Sequence, residues 1–410
     1  MATIEIRNIG PIKEANFDLN KVIVFMGTQG SGKSTIAKIC SQCLWYEKNY
    51  ILTGDEYDFY EGLITFHRMD ENYFSDDSEI EYKSQWVTIN LKNKKTTVER
   101  KDNKEEIYRN LKIEYIPAER NFVAAIPNLQ KYSDNWDNII NFLNDWLLFK
   151  GVLTKDEKYS SPLKSVDVEY EYNLKTKEDI LTLSNTKTIL LQRSSSGQQS
   201  IIPLLVVCKY LFDDLYNRER IPSSAEKKYI QDLLPENMKE DYNWVIKMQN
   251  HQQYVKPPLK ETEIEDVKNI IWKKIGFSTD YTFSNVIIEE PEQNLFPETQ
   301  KELVYHLLKS IQQKERHHSL LITTHSPYIL YALNNCMMGG LVYDKMSDKD
   351  KQRLKCQSSF INPQDVSVYE IHDGILIKMQ QDDNLIGANY FDKKMKELMD
   401  DFYVMLNYYE

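Results

Sequence analysis

A glycine-rich stretch near the start of the chain, Gly27-Thr28-Gln29-Gly30-Ser31-Gly32-Lys33-Ser34, has the spacing that wraps a backbone around phosphate. The glycines let the loop turn so that amide N–H groups point inward at phosphate oxygens. Ahead of it, Val22-Ile23-Val24-Phe25 reads as a buried strand; behind it, Thr35 to Leu44 reads as a helix. The start of that helix adds partial positive charge beneath the loop. Lys33 is placed to reach the β and γ phosphates of ATP, and Ser34 to hold Mg²⁺. Nucleotide binding follows from this stretch; its purpose does not.

Phosphoryl chemistry also needs a carboxylate for the metal and a group that positions the attacking water. "NVIIEEPEQNLFP", 285–297, offers both, because Glu289 and Glu290 end the apolar run Val286-Ile287-Ile288. Ligands gather at such strand ends in open parallel sheets. A solvated acidic loop is the plain alternative, and the apolar strand before it with Pro291 after it disfavour that. "LLITTHSPYIL", 320–330, is a third apolar strand, ending in Thr324-His325-Ser326. A lone histidine there would be structural, but beside the other two motifs His325 suits a contact to the γ-phosphate or the water. In "LLQRSSSGQQSIIPLLVVCKYL", 190–211, serines open a long apolar helix. By itself that stretch reads as an N-cap; the alternative is a second anion site offering free hydroxyls and N–H groups.

In this order the four stretches resemble those of the ABC-type ATPases. "EEPEQNLFP", "TTHSPYIL", the opening "IRNIGPIKEANF" and "YIPAERN" resemble the OLD-type (overcoming lysogenization defect) and AAA-labelled branch, kin to the SMC and recombination-repair ATPases. The resemblance spans residues 1–125, 165–215 and 280–375. It implies a Walker A motif in which Gly27, Gln29, Gly30, Ser31, Gly32, Lys33, Ser34 and Thr35 bind nucleotide. Ser195, Ser196, Gly197 and Gln198 then form the signature, with Ser196 in place of its first glycine. Glu289 takes the magnesium position with Ser34, Glu290 that of the catalytic glutamate, and His325 that of the switch histidine. Two departures stand out: glutamate replaces the usual aspartate at 289, and Phe296-Pro297 occupy the place of the D-loop aspartate. Gln29 lies within the cradle and no separate Q-loop is assigned; Glu119-Arg120 is the candidate for that sensor.

The elements that must position these residues are those of an α/β protein. The expected fold is a P-loop ABC-type ATPase head with a mixed sheet, an antiparallel N-terminal lobe and a helical insertion. Residues 2–7 and 14–25 read as an antiparallel hairpin leading into the cradle, and "SQWVTINLK" and "KTTVERK" as strands. A helix is expected over 132–149, and a hairpin from "VDVEYEYNL" to "DILTLSN". The core is expected at 1–215 and 281–375, including the helical and hairpin segment 122–190. Residues 216–280 read as a helical insertion, too short in sustained heptads for a long coiled-coil arm, and 376–410 as a C-terminal helix. On it Phe391, Met395, Leu398, Phe402 and Met405 form one stripe, read as packing onto the core rather than docking a partner.

The composition, 41% hydrophobic and 28% charged, is that of a globular chain, and no apolar run approaches the ~18 residues of a membrane span. A net charge of −11 argues against a surface coated in nucleic acid. Five cysteines without scaffold spacing point to a reducing cytoplasm, and Cys40 and Cys43 read as small buried residues rather than a redox pair. Asp382-Asp383 lack the strand context of a Toprim nuclease, which many OLD-type proteins carry. The expectation is therefore a homodimer or higher homo-oligomer that closes on ATP and controls a separate nuclease or toxin in anti-phage defence. The alternatives are an ATPase acting directly on DNA and an ATP-binding scaffold with little turnover.

Overall fold

The computed structural model describes residues 2–102, 108–126, 137–153, 158–217, 281–313 and 316–409. Strands β1 (Thr3–Ile9) and β2 (Ile12–Asp18) pair as an antiparallel hairpin. The sequence pattern carries the second arm to residue 25, but the chain breaks after Asp18 and restarts as β3 (Val22–Gly27). The physical reason is burial. β2 alternates buried and exposed residues, whereas all six residues of β3 are buried, as a central parallel strand requires.

β3 feeds the glycine loop and helix α1 (Lys33–Thr53), which starts earlier and runs longer than its apolar pattern marks. Gly54 ends it in the left-handed conformation, its N–H bonded to the Tyr50 carbonyl. Cys40 and Cys43 lie on α1 with no solvent exposure, in the packing role expected of them. The antiparallel lobe continues through β4 (Phe74–Lys83), β5 (Val87–Lys92) and β6 (Lys95–Arg100), and the chain returns to the parallel half as β7 (Leu111–Ile116).

Helix α2 (Asn138–Leu153) buries Phe142, Trp146 and Phe149. A smaller antiparallel sheet of β8 (Tyr159–Ser160), β9 (Val168–Asn173), β10 (Glu178–Leu183) and β11 (Thr188–Leu190) leads into α3 (Ser196–Lys209). The expected insertion lies outside the described residues from 218 to 280. Beyond it run β12 (Phe283–Glu289), α4 (Pro297–Ser310), β13 (Ser319–Thr324) and α5 (Pro327–Val342). The hairpin of β14 (Val366–His372) and β15 (Ile375–Lys378) and helix α6 (Tyr390–Leu406) close the described chain.

Among the described residues the main sheet has 11 strands in the order β6-β5-β4-β1-β2-β15-β14-β3-β13-β12-β7. The last five, β14, β3, β13, β12 and β7, are parallel neighbours. Their carboxyl ends open on one edge, so the loops after β3, β13, β12 and β7 stand side by side there. Both faces of this half are covered. Val22, Val24, Val286, Ile288, Leu320 and Ile322 pack toward the larger helical core, while Ile23, Phe25, Ile287 and Leu321 pack with α1 and the antiparallel lobe. This is the expected α/β class, a mixed sheet with an antiparallel N-terminal lobe. No helix among the described residues is long and apolar enough to cross a membrane.

Two expectations at the C-terminus need correction. The segment 376–410 is not one helix: it begins within β15, and α6 starts only at Tyr390. Nor does the apolar stripe of α6 pack onto the core. Phe391 does, but Met395, Leu398, Phe402 and Met405 are 61%, 67%, 51% and 63% exposed. An apolar stripe records a need for a partner surface, not which surface meets it.

Candidate nucleotide-binding site

The cradle is held by backbone that only glycine tolerates. Gly32 has φ 104°, and a Cβ on it would stand 2.4 Å from Ile12 Cδ1, so the β1–β2 hairpin presses directly on the loop. At Gly27 a Cβ would meet Ser31 Oγ at 2.7 Å and the Ile371 carbonyl at 2.9 Å. Gly32 caps α1 without any side-chain hydrogen bond, which leaves the first-turn N–H groups available. Lys33 is 5% exposed and donates to the carbonyls of Gly27 (3.0 Å) and Thr28 (2.9 Å). Burial lowers its pKa to about 8, against the opposing pull of Glu290, Glu292 and Glu289. Ser31 Oγ is buried without a hydrogen-bond partner. An uncapped helix start, a buried lysine and an orphaned hydroxyl fit a polyphosphate. Gln29 is exposed at the loop tip, Ser34 is half-buried and Thr35 is buried.

Opposite the cradle, β12 ends in the two carboxylates. Glu289 is buried and accepts from the Tyr115 hydroxyl and, at 3.4 Å, from the Ala118 N–H. Glu290 adopts φ 43°, left-handed backbone that costs a non-glycine residue about 1 kcal/mol or more. That turn brings its Oε1 to 3.0 Å from His325 Nε2. A carboxylate only accepts, so this contact places a hydrogen on Nε2. The His325 hydrogen bond is the main cause holding the Glu290 pKa below the usual carboxylate range, with the charges of His325, Lys33 and Arg120 adding to it. The His325 N–H in turn donates to Glu292 Oε1 at 2.6 Å, and burial pushes the Glu292 carboxyl upward. Mg²⁺ bound with a nucleotide usually takes one or two protein oxygens besides phosphate. The residues that would supply them are Ser34, half-buried in the first turn of α1, and Glu289, the last residue of β12.

Arg120, of the pair Glu119-Arg120 read as a sensor candidate, anchors the turn at Glu290. It is fully buried; Nη1 donates to the Glu289 carbonyl at 2.8 Å and Nη2 to the Glu290 carbonyl at 2.7 Å. One planar fork thus grips two consecutive carbonyls at the strained turn, a geometry that the point charge of lysine cannot reproduce. Arg120→Lys is therefore expected to lower turnover about tenfold or more through misplacement of Glu290, with nucleotide affinity within about twofold. Steady-state hydrolysis alongside a nucleotide titration checks this, and an unchanged kcat would contradict it.

At the signature, the structure shows the N-cap that the stretch suggests by itself. The Ser195 hydroxyl is not free: it accepts from the Gln198 N–H at 3.3 Å, while Gln198 Oε1 accepts from the Ser195 N–H at 3.2 Å. This reciprocal cap is the plainer of the two readings. Ser195 and Ser196 remain exposed. A Cβ at Gly197 would stand 3.0 Å from the Asn294 carbonyl, and Asn294 Nδ2 donates to Ser200 Oγ at 2.9 Å. The start of α3 therefore rests on the loop that follows Glu290. In that loop Phe296, at the departed D-loop position, is 78% exposed.

No protein-family model and no curated protein sequence matches the chain. Among solved structures it is similar to the SMC head domain from Thermotoga maritima, at 10% identity, covering 92% of this chain and 97% of that one, TM-score 0.37. An Smc head domain with an extended coiled coil from Pyrococcus furiosus, bound to the C-terminal domain of ScpA, gives 10%, 98% and 99%, TM-score 0.37. The recombination mediator protein RecF of the RecFOR pathway gives 12%, 92% and 97%, TM-score 0.32. These overlaps are too low to bear on what this chain does.

Proposed function

We propose that this chain is an ATPase of the ABC class that works as an ATP-closed switch. The observation that carries the reading is the Glu290–His325 pair, joined at 3.0 Å on the sheet edge that also carries the cradle. Lys33 and the uncapped amides of α1 bind the β and γ phosphates. Mg²⁺ on Ser34 and Glu289 supplies charge neutralisation when bound. Glu290, kept ionised by His325, accepts a proton from water as the water oxygen bonds to the γ-phosphorus and the bond to the β–γ bridging oxygen breaks. ADP and phosphate are the products, and the proton rests on Glu290. Arg120 holds the carboxylate in place through the backbone.

The contacts of the α3 start run to its own turn and to Asn294. In the proposed closed state, the edge formed by exposed Ser195 and Ser196 and half-buried Gly197 meets the γ-phosphate held by a second copy, and Asn294 links that contact to the Glu290 loop. The catalytic unit comprises 1–215 and 281–375, extended by β15 to Lys378, with 216–280 as the insertion. Following the motif resemblance, the switch controls a separate nuclease or toxin in anti-phage defence. Asp382 and Asp383 lie in a turn rather than on a strand.

Sedimentation velocity of Glu290→Gln tests the switch. Closure spans the γ-phosphate, so ATP-Mg²⁺ should raise the sedimentation coefficient and ADP-Mg²⁺ should not. Identical profiles in the two nucleotides would overturn the sandwich.

A further inference from the structure

Helix α6 leaves the body of the protein at a built anchor. Asn389 and Asp392 form a reciprocal cap at its start, and Tyr331 donates to Asp392 Oδ1 at 2.5 Å. Beyond Phe391 the helix is uncovered, and none of its residues is buried. One stripe of apolar residues recurs at 391, 395, 398, 402 and 405, in steps of four, three, four and three, with Met399, Tyr403, Val404 and Leu406 exposed beside it. A mean step of 3.5 is the repeat of a helix that pairs with another helix.

The charges say which helix. Past the capping Asp392, Lys393, Lys394 and Lys396 occupy the first half of α6, and Glu397, Asp400 and Asp401 the second. Beyond Asp392, which suits the helix start, this order opposes the helix dipole, which favours acids at the start and bases at the end. Within one helix the arrangement yields an exposed i,i+3 ion pair, Lys394 Nζ to Glu397 Oε2 at 2.5 Å, a contact of little worth at so open a site. Laid antiparallel on a copy of itself, the basic half of each faces the acidic half of the other. Lys394 and Asp401 are seven residues apart, each immediately preceding a seam residue, Met395 and Phe402. They therefore share one flank, where antiparallel pairing sets Lys394 of one copy beside Asp401 of the second copy, twice by symmetry. A parallel pair would set like halves together. An anionic lipid surface is a poor match, because the 17 residues carry three lysines against four acids.

We infer that the exposed face of α6 pairs antiparallel with the α6 of a second copy of this chain, independently of nucleotide. The pairing stands apart from the ATP sandwich: it needs neither the cradle nor the signature, and it can hold two chains together while their heads open and close.

The test is sedimentation of the full chain without nucleotide, in chelator, over roughly 1–100 µM. A concentration-dependent dimer is expected, and Leu398→Glu should weaken it at least about tenfold by placing a charge in the seam. Lys394→Glu and Asp401→Lys should each weaken it by roughly three- to tenfold, and the two together should restore it to within about threefold of wild type. Lys393→Glu, on the opposite face, should leave it unchanged, which controls for net charge. A wild-type chain that stays monomeric throughout would overturn the inference and assign the face to a different protein. So would a Leu398→Glu chain that pairs like wild type, or a double reversal weaker than either single one. Failure of the sandwich would appear only with nucleotide present, so the two readings fail separately.

Discussion

Lys33→Ala is expected to weaken ATP binding about a hundredfold or more. The alanine removes a buried cation held at 2.9–3.0 Å by the Gly27 and Thr28 carbonyls, which is the group proposed to meet the β and γ phosphates. The same residue gives the binding a pH signature. Burial has brought its pKa down to about 8, and phosphate oxygens favour the ammonium form. Nucleotide binding should therefore take up a proton near pH 8. The sign is fixed: affinity is full below about pH 8 and falls as pH rises through it, because the ligand-free lysine is then neutral. Calorimetric titration in two buffers of different ionisation heat reads the proton uptake directly. Unchanged affinity in Lys33→Ala would remove the cradle from the site.

Glu290→Gln is expected to keep nucleotide affinity and lose turnover by about a hundredfold or more. Affinity persists because the phosphate contacts lie on Lys33 and the α1 amides. Turnover goes because an amide cannot take the proton from water. The amide also loses the charge that His325 and Lys33 stabilise in the wild type. Single-turnover hydrolysis separates the two effects. Wild-type turnover in this variant would assign the water to another group, and Glu292, bonded to the His325 N–H, is the first candidate.

The elements that build the nucleotide site were legible because each is a short apolar run buried on both faces. β3, β12 and β13 show no polar alternation, and the residue that ends or follows each run is the one placed on the ligand edge. Lys33, Glu289, Glu290 and His325 could be read from that pattern together with the family resemblance. The grip of Arg120 on the Glu290 turn could not be read. Its value lies in two backbone carbonyls about 170 positions away, and carbonyls leave no trace in residue types. Glu292 and Tyr115 were missed for a related reason, since their partners are the backbone amide just past β13 and a carboxylate on the neighbouring β12. The signature serines were legible as a helix start, but the sequence does not say whether the hydroxyls are spent on the helix's own cap. The α6 stripe was misassigned because periodicity defines a face without its partner.

The central claim is that each cradle is completed by the signature of another copy, and Ser195→Arg tests it most directly. The substitution lies at the exposed start of α3, so nucleotide binding by the chain's own cradle should match wild type. Turnover measured on the same preparation should fall about a hundredfold, because the arginine bulk blocks closure over the γ-phosphate. Hydrolysis at the wild-type rate, with ATP bound normally, would contradict the trans mechanism.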